Sequence, residues 1–225
     1  MTIMFSLKSR LALARVALRV RADQADPEAL APLLNAGVDL VILGAGEDTD
    51  GDVEIFKKFR SATARSKLLI ATEDLRAGAE VQADVVHVAR PGWRTIGGIQ
   101  KPHRWSLIGR DARDQRTVGK PGDAYDYLFV GPLDGGDPNS RLLQAALNDQ
   151  PTFSAGAKPW FATGDLTVAD VSDLVARGVG RIALPPTVID QHRDPAAFIT
   201  AVRYAVQQAW ATPEAKTYAL RSARL

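Results

Sequence analysis

The sequence predicts a single-domain (β/α)8 (TIM) barrel, and the repetition of one local pattern supports this prediction. Four times, a helix end made of small residues leads into a short apolar strand, at 36–43, 82–88, 124–130 and 177–184. A repeat of this kind is typical of parallel βα units. An open doubly wound sheet is the alternative, but no Gly-x-Gly-x-x-Gly motif follows the first strand, which disfavours it.

Eight short apolar segments are the predicted strands, at 15–20, 40–43, 67–71, 85–88, 105–108, 127–130, 159–162 and 181–184. Helices are predicted near 26–37, 53–65, 74–82, 111–118, 139–147, 167–176 and 194–210. The first helix opens with Asp26, Pro27 and Glu28, which supply an N-cap acceptor, a proline suited to the first turn and an acid. The barrel domain is assigned to 9–210. Residues 211–225 are predicted to be a C-terminal tail, either a docking arm or a frayed end.

The composition is that of an ordinary soluble protein, since 46% of the residues are apolar and 24% are charged. Cysteine is absent, which excludes disulfides, thiolate zinc sites and a cysteine nucleophile. No apolar run approaches the roughly 20 residues that span a bilayer, and the N-terminus has no secretory signal pattern. We therefore expect a cytoplasmic protein that does not bind a membrane.

The net charge of +2 is close to neutral, and no basic run interleaves with aromatic residues, so we expect no nucleic-acid partner. The charge is uneven, however. Between Arg90 and Lys120 there are eight basic residues against two acids, Asp111 and Asp114. Residues 91–104 are interrupted by glycine and proline and are predicted to be irregular. The basic residues are interpreted as a solvated face, and an anion site is the alternative.

No residue pattern identifies a catalytic group or a metal site. The acidic stretch 48–52 resembles a calcium loop, but its glycine comes too early and no glutamate follows at the twelfth position. His87 lies inside the fourth predicted strand, where we interpret it as a hydrogen-bonded interior residue rather than a general base. We therefore predict neither catalytic residues nor a bound metal.

Two stretches, 126–132 (Asp-Tyr-Leu-Phe-Val-Gly-Pro) and 158–164 (Lys-Pro-Trp-Phe-Ala-Thr-Gly), resemble thiamine phosphate synthase. The resemblance continues through 9–12, 83–88 and 107–110, and it covers about 9–208. That family forms a (β/α)8 barrel. It joins an aminopyrimidine diphosphate to a thiazole phosphate with loss of pyrophosphate, using Mg²⁺. The resemblance implies the same barrel, and a homodimer, for this chain.

The positions that match the family's charged site carry other residues here. After the second strand the family has Gln-x-Arg-x-Lys, a clamp for the diphosphate, and the matching residues are Ile42, Gly44 and Gly46. The Mg²⁺-binding Asp after the third strand corresponds to Glu73, and the second metal Asp falls on Gly92. The resemblance therefore implies that the clamp and one metal ligand are lost.

The phosphate end of the family's site differs as well. The serine after the fifth strand becomes Asp111, and the Thr-Pro-Thr-Lys loop after the sixth strand becomes 133–137, which contains no lysine. The Gly-Gly phosphate cradle after the seventh strand becomes Gly-Asp at 164–165, and 185–186 after the eighth strand are both proline. A carboxylate in a phosphate cradle repels the ligand.

Three functions are compatible with these departures. The one we predict is a non-catalytic paralogue, a pseudoenzyme that binds a ligand or another protein. The second is a true thiamine phosphate synthase, a transferase, with an atypical site. The third is a metal-free reaction on a phosphorylated or carboxylated small molecule, using the basic segment 90–120. The related thiazole tautomerases use a histidine where this chain has Arg113, which argues against that activity.

The predicted ligand is a phosphorylated or other anionic small molecule, bound at the strand ends. The residues predicted to bind it are Thr72, Glu73, Arg110, Asp111, Gly131, Thr163 and Gly164. No cofactor is expected, and Mg²⁺ is expected only if the synthase activity is retained. The expected protein partner is a second copy of the chain, or another protein.

Overall fold

Eight parallel strands close into a barrel in the computed structural model, which describes residues 6–64, 66–89, 99–133 and 140–225. The strands are neighbours in chain order, and the last pairs with the first. They are β1 (Val16–Val20), β2 (Leu40–Leu43), β3 (Leu69–Thr72), β4 (Val85–Val88), β5 (Leu107–Ala112), β6 (Tyr127–Val130), β7 (Trp160–Thr163) and β8 (Ile182–Leu184). The predicted barrel is confirmed. Predictions that concern Arg65, residues 90–98 (with Arg90, Gly92 and Arg94) and residues 134–139 lie outside the described residues.

Ten helices surround or cap this barrel in the described parts of the chain. They are α1 (Leu7–Leu13), α2 (Pro27–Asn35), α3 (Thr49–Thr63), α4 (Leu75–Glu80), α5 (Gln115–Gly119), α6 (Arg141–Asp149), α7 (Val168–Ala176), α8 (Thr187–Gln191), α9 (Pro195–Ala209) and α10 (Pro213–Ser222). The opening of α2 is as predicted, because the Asp26 side chain accepts a hydrogen bond from the Glu28 N–H. The acidic stretch 48–52 opens α3, where Asp48 accepts from the Gly51 N–H as an N-cap.

The fifth strand is longer than predicted, and this difference determines the direction of Asp111. The prediction ends this strand at residue 108 and begins a helix at 111, whereas β5 continues to Ala112 and α5 begins after the N-cap Asp114. The extension pairs residues 109–112 with Tyr127–Val130 of β6, and the missing side chain of Gly109 makes room for the Tyr127 ring. A Cβ atom there would lie 2.0 Å from Cζ of Tyr127, so the Tyr127 ring of β6 occupies that space. Asp111 is therefore a strand residue on the same face as Gly109.

Alternation along the strands divides the core into two layers. The inner layer fills the barrel with apolar side chains from all eight strands, among them Ala17, Leu40, Ile42, Leu69, Ala71, Val85, Leu107, Tyr127, Phe129, Phe161 and Ala183. Leu11 of α1 and Ala14 after it join this layer, so α1 lies across the amino end of the barrel. The outer layer lies between the strands and the surrounding helices.

Residues 211–225 contain α10 and are not a frayed end. Ala215, Tyr218 and Ser222 are buried on one side of this helix, which packs against α1. In the parts of the chain that the structure describes, no helix is long and apolar enough to cross a membrane.

Candidate functional site

A charged cluster lies inside the barrel near the carboxyl ends of the strands. Arg19 of β1 reaches Glu73, which follows β3, and Asp111 of β5. Its Nε atom is 2.8 Å from Oε1 of Glu73, an ion pair whose atoms are not aligned as a hydrogen bond. Its Nη2 atom donates to Oδ1 of Asp111 at 2.9 Å. One guanidinium group thus bridges two carboxylates.

His87 and Tyr127 continue the cluster into the barrel interior, where both are fully buried. Nε2 of His87 lies 2.9 Å from Oδ1 of Asp111, and Nδ1 lies 3.1 Å from the hydroxyl oxygen of Tyr127. Because an ionised carboxylate can only accept, Nε2 carries the proton, and Nδ1 of a neutral imidazole accepts from the tyrosine. The interpretation of His87 as a hydrogen-bonded interior residue is confirmed.

Burial and neighbouring charges together shift the pKa values of Glu73, Asp111 and His87. Burial raises the pKa of Glu73; the attraction of Arg19 opposes this shift, and the negative Asp111 adds to it. Burial also favours a higher pKa for Asp111. The hydrogen bond from His87 and the charge of Arg19 outweigh burial and bring the pKa of Asp111 below its ordinary value. Burial lowers the pKa of His87. At neutral pH, Asp111 is therefore ionised and His87 is neutral.

A second arginine completes the cluster from the solvent side. Nη2 of Arg113, which follows β5, donates to Oδ2 of Asp111 at 3.2 Å. The Arg113 side chain is 55% exposed, whereas Asp111 is 7% exposed. The guanidinium of Arg113 is therefore the group of the cluster that an anion arriving from solvent can contact.

Two of the predicted ligand-binding residues, Glu73 and Asp111, belong to this cluster, and Thr72 and Arg110 do not. Thr72 lies on the outer face of β3, against α4. Its methyl group is so close to Gly78 of that helix that a Cβ atom on Gly78 would lie 3.2 Å from it. Its hydroxyl accepts from the Asp74 N–H at 3.2 Å. Arg110 lies on the outer face of β5, with its guanidinium 4.7 Å from the centre of the Tyr125 ring.

The other three predicted residues lie where the ends of β6 and β7 pack against each other. A Cβ atom on Gly131 would lie 2.1 Å from the carbonyl oxygen of Thr163, and one on Gly164 would lie 2.3 Å from that of Leu133. The Leu133 N–H donates to the Thr163 carbonyl at 2.8 Å. These contacts give both glycines a structural role, because neither position has room for a side chain.

The positions of the family's diphosphate clamp are filled from within the protein. Ile42 is fully buried in the inner layer. A Cβ atom on Gly44 would lie 2.9 Å from the carbonyl oxygen of Val20, and one on Gly46 would lie 2.8 Å from Oδ1 of Asp52. The Asp52 carboxylate accepts from the Gly46 N–H at 2.9 Å. None of these three positions therefore offers a cationic side chain to a diphosphate.

The residues present do not fit the Mg²⁺ ion that the family resemblance implies. Glu73 and Asp111 both face the guanidinium of Arg19, at 2.8 and 2.9 Å. A divalent cation between these acids would meet a positive charge at contact distance. Among the described residues, no group of three His, Asp or Glu side chains could hold a metal ion. Arg19 supplies the positive charge beside Glu73.

The family resemblance predicts Glu73 and Asp111 as site residues, but the sequence does not predict that Arg19 and Arg113 contact them. The available signal for Arg19 is its place in an otherwise apolar strand, two residues after Ala17 of the inner layer. In the sequence, Arg113 is one of the eight basic residues between Arg90 and Lys120, and it stands where the tautomerases have a histidine. Its contact with Asp111 depends on the extension of β5, which the sequence pattern does not reveal.

Comparisons with known proteins point to one family, although no family model matches the chain. The chain is 32% identical over 218 residues to the thiamine-phosphate synthase of Mycobacterium marinum, an alignment covering 85% of this chain and 96% of the relative. It is 29% identical over 203 residues to that of Acidothermus cellulolyticus, covering 82% and 91%. The solved thiamine phosphate pyrophosphorylase from Pyrococcus furiosus shares the fold, with a TM-score of 0.72 and 17% identity over 91% of this chain and 99% of that one. By its barrel and its similarity to these relatives, the chain belongs to the thiamine-phosphate synthase family.

Proposed function

We propose that this family member does not couple an aminopyrimidine diphosphate to a thiazole phosphate, and that it instead binds an anionic small molecule at the carboxyl end of the barrel. The observation that carries the proposal is the position of Arg19 between Glu73 and Asp111. The acid that the family uses for Mg²⁺ is here paired with a side chain of the protein itself.

The coupling reaction makes demands that these residues do not meet. Its leaving group is pyrophosphate, which carries several negative charges and needs preorganised cations or hydrogen-bond donors. Removing a single such donor from an active site typically costs about 3–4 kcal/mol, which is roughly a 10²- to 10³-fold loss in rate. Here the clamp positions hold Ile42, Gly44 and Gly46, and the acids next to them do not fit Mg²⁺. The combined loss lowers the rate far below a useful value.

The same cluster supports the binding of an anion. The planar guanidinium of Arg113 suits the geometry of a phosphate or carboxylate, and more than half of that side chain faces solvent. The cluster as a whole pairs two arginines with two acids. Because burial raises the pKa of Glu73, proton uptake by that residue leaves a net positive charge beside the mouth. Binding of an anion should therefore strengthen at mildly acidic pH.

A coupling assay and a binding assay on the purified protein test the two halves of the proposal. With both substrates and Mg²⁺ we expect no thiamine phosphate, and turnover near 1 s⁻¹, within the ordinary enzyme range, would establish an atypical synthase instead. Pyrophosphate and sulfate should each raise the midpoint of thermal unfolding, because a ligand that binds the folded state stabilises it.

Arg113→Gln should reduce this thermal shift, and Arg116→Gln, which removes an exposed charge from α5, should leave it unchanged. An equal shift in both variants would contradict binding at the cluster. A cytoplasmic location and a homodimer remain predictions that accompany this proposal. Light scattering after gel filtration tests the second of them.

A further inference from the structure

A cleft of about 670 Å³ opens at the amino end of the barrel, between α1, α10 and the segment 153–159 that leads into β7. Small-molecule sites typically measure about 300–1,000 Å³. Because α1 precedes β1 and the segment 153–159 precedes β7, the cleft lies at the opposite end of the barrel from the charged cluster. It is therefore a separate site from the carboxyl mouth.

One wall of the cleft is apolar and aromatic. Leu11, Phe153, Pro159 and Tyr218 line it. The ring of Phe153 packs edge-on against Tyr218, with ring centres 5.8 Å apart, and against Trp210 behind it at 5.1 Å. Such a wall favours a flat or aliphatic group, because apolar surface of the ligand leaves water when it packs there.

The charges around the cleft favour a negative ligand. The charged side chains that line it are Lys8, Asp126, Lys158, Glu214 and Arg221. Asp126 is neutralised from within the protein: it accepts from the Ile108 N–H at 2.9 Å and lies 3.4 Å from Nζ of Lys101. Glu214 lies in the first turn of α10, where the helix dipole compensates a negative charge. Among the lining side chains, the remaining excess is therefore positive.

A buried cation behind the wall adds to this excess. Arg181 is fully buried, and burial lowers its pKa, although a guanidinium stays charged at neutral pH. Its Nη2 atom donates to the Ala12 carbonyl at 2.8 Å and to the Tyr218 hydroxyl at 3.1 Å, and both of those residues line the cleft. Its Nε atom has no hydrogen-bond partner. No carboxylate in the described residues pairs with this arginine.

We propose that the amino-end cleft binds an amphipathic organic anion, a carboxylate or phosphate that carries an aromatic or aliphatic group. The apolar part packs on Phe153 and Tyr218. The anionic part lies toward Lys8 and Arg221, in the field of the uncompensated Arg181.

The test compares two probes that differ in charge, 4-phenylbutyrate and the neutral 4-phenylbutanol, by calorimetry and by amide NMR shifts. Phenylbutyrate should bind about tenfold or more tightly than the alcohol, a difference of about 1.4 kcal/mol. It should shift signals from α1, 153–159 and α10. The measurements are made in phosphate-free buffer. The Arg113→Gln variant should bind phenylbutyrate as well as the native protein does, which separates this cleft from the cluster at the carboxyl end of the barrel.

Variants of the lining give the matched controls. The double variant Lys8→Gln, Arg221→Gln should bind phenylbutyrate about threefold to tenfold more weakly, as expected for two exposed charges. Arg224→Gln removes an exposed charge just beyond α10, outside the cleft, and should change nothing. Thr217→Trp should fill the cleft and abolish binding. Equal affinity for the two probes, or undiminished binding by the folded Thr217→Trp variant, would overturn the proposal.

Discussion

Arg19 and Asp111 are 92 residues apart in the chain, on strands β1 and β5 at opposite sides of the barrel, and their side chains meet at 2.9 Å in its interior. The contact braces the barrel across its width. The same guanidinium lies 2.8 Å from Glu73, the residue that the family resemblance matches to a metal-binding acid. The behaviour of this pair therefore distinguishes a structural cluster from a catalytic site.

We expect Arg19→Ala to lower the free energy of unfolding by roughly 3–5 kcal/mol, since removing one partner leaves buried charges without compensation. Chemical denaturation at neutral pH measures the change. Arg21→Ala is the matched control, because Arg21 also bridges two acids, Asp23 and Asp190, but does so at the surface. The decrease in the free energy of unfolding should be clearly smaller in Arg21→Ala than in Arg19→Ala. Equal losses in the two variants would mean that the buried bridge contributes no more than an exposed one.

The contribution of Glu73 to stability should fall as the pH rises above about 4.3, the ordinary pKa of a glutamic acid, whereas the lowered pKa of the buried His87 acts in the opposite direction. Burial raises the pKa of Glu73, so the folded chain keeps a proton that the unfolded chain has released. This contribution is complete below the unfolded pKa and is lost as the pH rises through the folded one. The pKa of Asp111 is shifted downward, so its contribution is lost only under more acidic conditions. Denaturation curves between pH 4 and 8 measure the slope.

Glu73→Gln should remove the part of the slope in which stability falls with rising pH, whereas Glu80→Gln, on the exposed surface of α4, should leave the slope unchanged. A slope that is the same in both variants would show that Glu73 does not hold the proton.

Mg²⁺ should produce no heat of binding at micromolar concentration when it is added to the native protein. The guanidinium of Arg19 already compensates Glu73 and Asp111. In Arg19→Ala the two carboxylates lose this partner, and the affinity for Mg²⁺ should rise. Micromolar binding by the native protein that Glu73→Ala abolishes would instead show that the family's metal site is retained.

Gly109→Ala should lower the free energy of unfolding by roughly 1–3 kcal/mol or more, because the new methyl group would overlap the Tyr127 ring. Displacement of that ring also breaks the hydrogen bond between Tyr127 and His87. Gly156→Ala is the control, because a Cβ atom at Gly156 meets no atom within 4 Å. Comparable stability of the two variants would contradict the close packing of the Tyr127 ring over Gly109.

Rebuilding the family's clamp, as Ile42→Gln, Gly44→Arg and Gly46→Lys, should restore no coupling activity. It should also destabilise the protein, because Ile42 belongs to the inner layer and the carboxylate of Asp52 occupies the space beside Gly46. Thiamine phosphate formation and denaturation are the two measurements. Gly156→Arg introduces a cation into open space and serves as the stability control. Coupling by the rebuilt variant would show that the clamp alone separates this chain from an active synthase.

The sequence predicts the barrel well because each strand is marked by a pattern of neighbouring residues in the chain. The bounds of β2, β4 and β6 coincide with short apolar runs, and the small residues before them end the preceding helices. The length of β5 is not a local property. Residues 109–111, Gly-Arg-Asp, are typical of the end of a strand, and the strand continues because residues 109–112 pair with Tyr127–Val130 of β6, a pairing that local sequence signals do not reveal.

The candidate site is less predictable for a similar reason. The single arginine in the otherwise apolar strand β1 does not tell which face of the strand turns inward, so the sequence alone does not place Arg19 in the site. Closure of the barrel determines which face of β1 points inward, and it brings Arg19 to Asp111 across the barrel interior. Thr72 and Arg110 show the converse, since each lies one position from an inner residue and therefore faces the helices.

Closure between β1 and β8 also decides when the protein can fold during its synthesis. The hydrogen bond from Arg181 to Ala12 joins residues 169 positions apart, and β1 pairs with β8 across a similar interval. Until the ribosome has released β8, the strand β1 lacks one of its two neighbours, and the inner faces of the early strands remain open to water. The nascent chain therefore presents unpaired strand edges and apolar surface for most of its translation, a state that is prone to aggregation. We expect truncated chains that end before β8 to depend on chaperones for solubility.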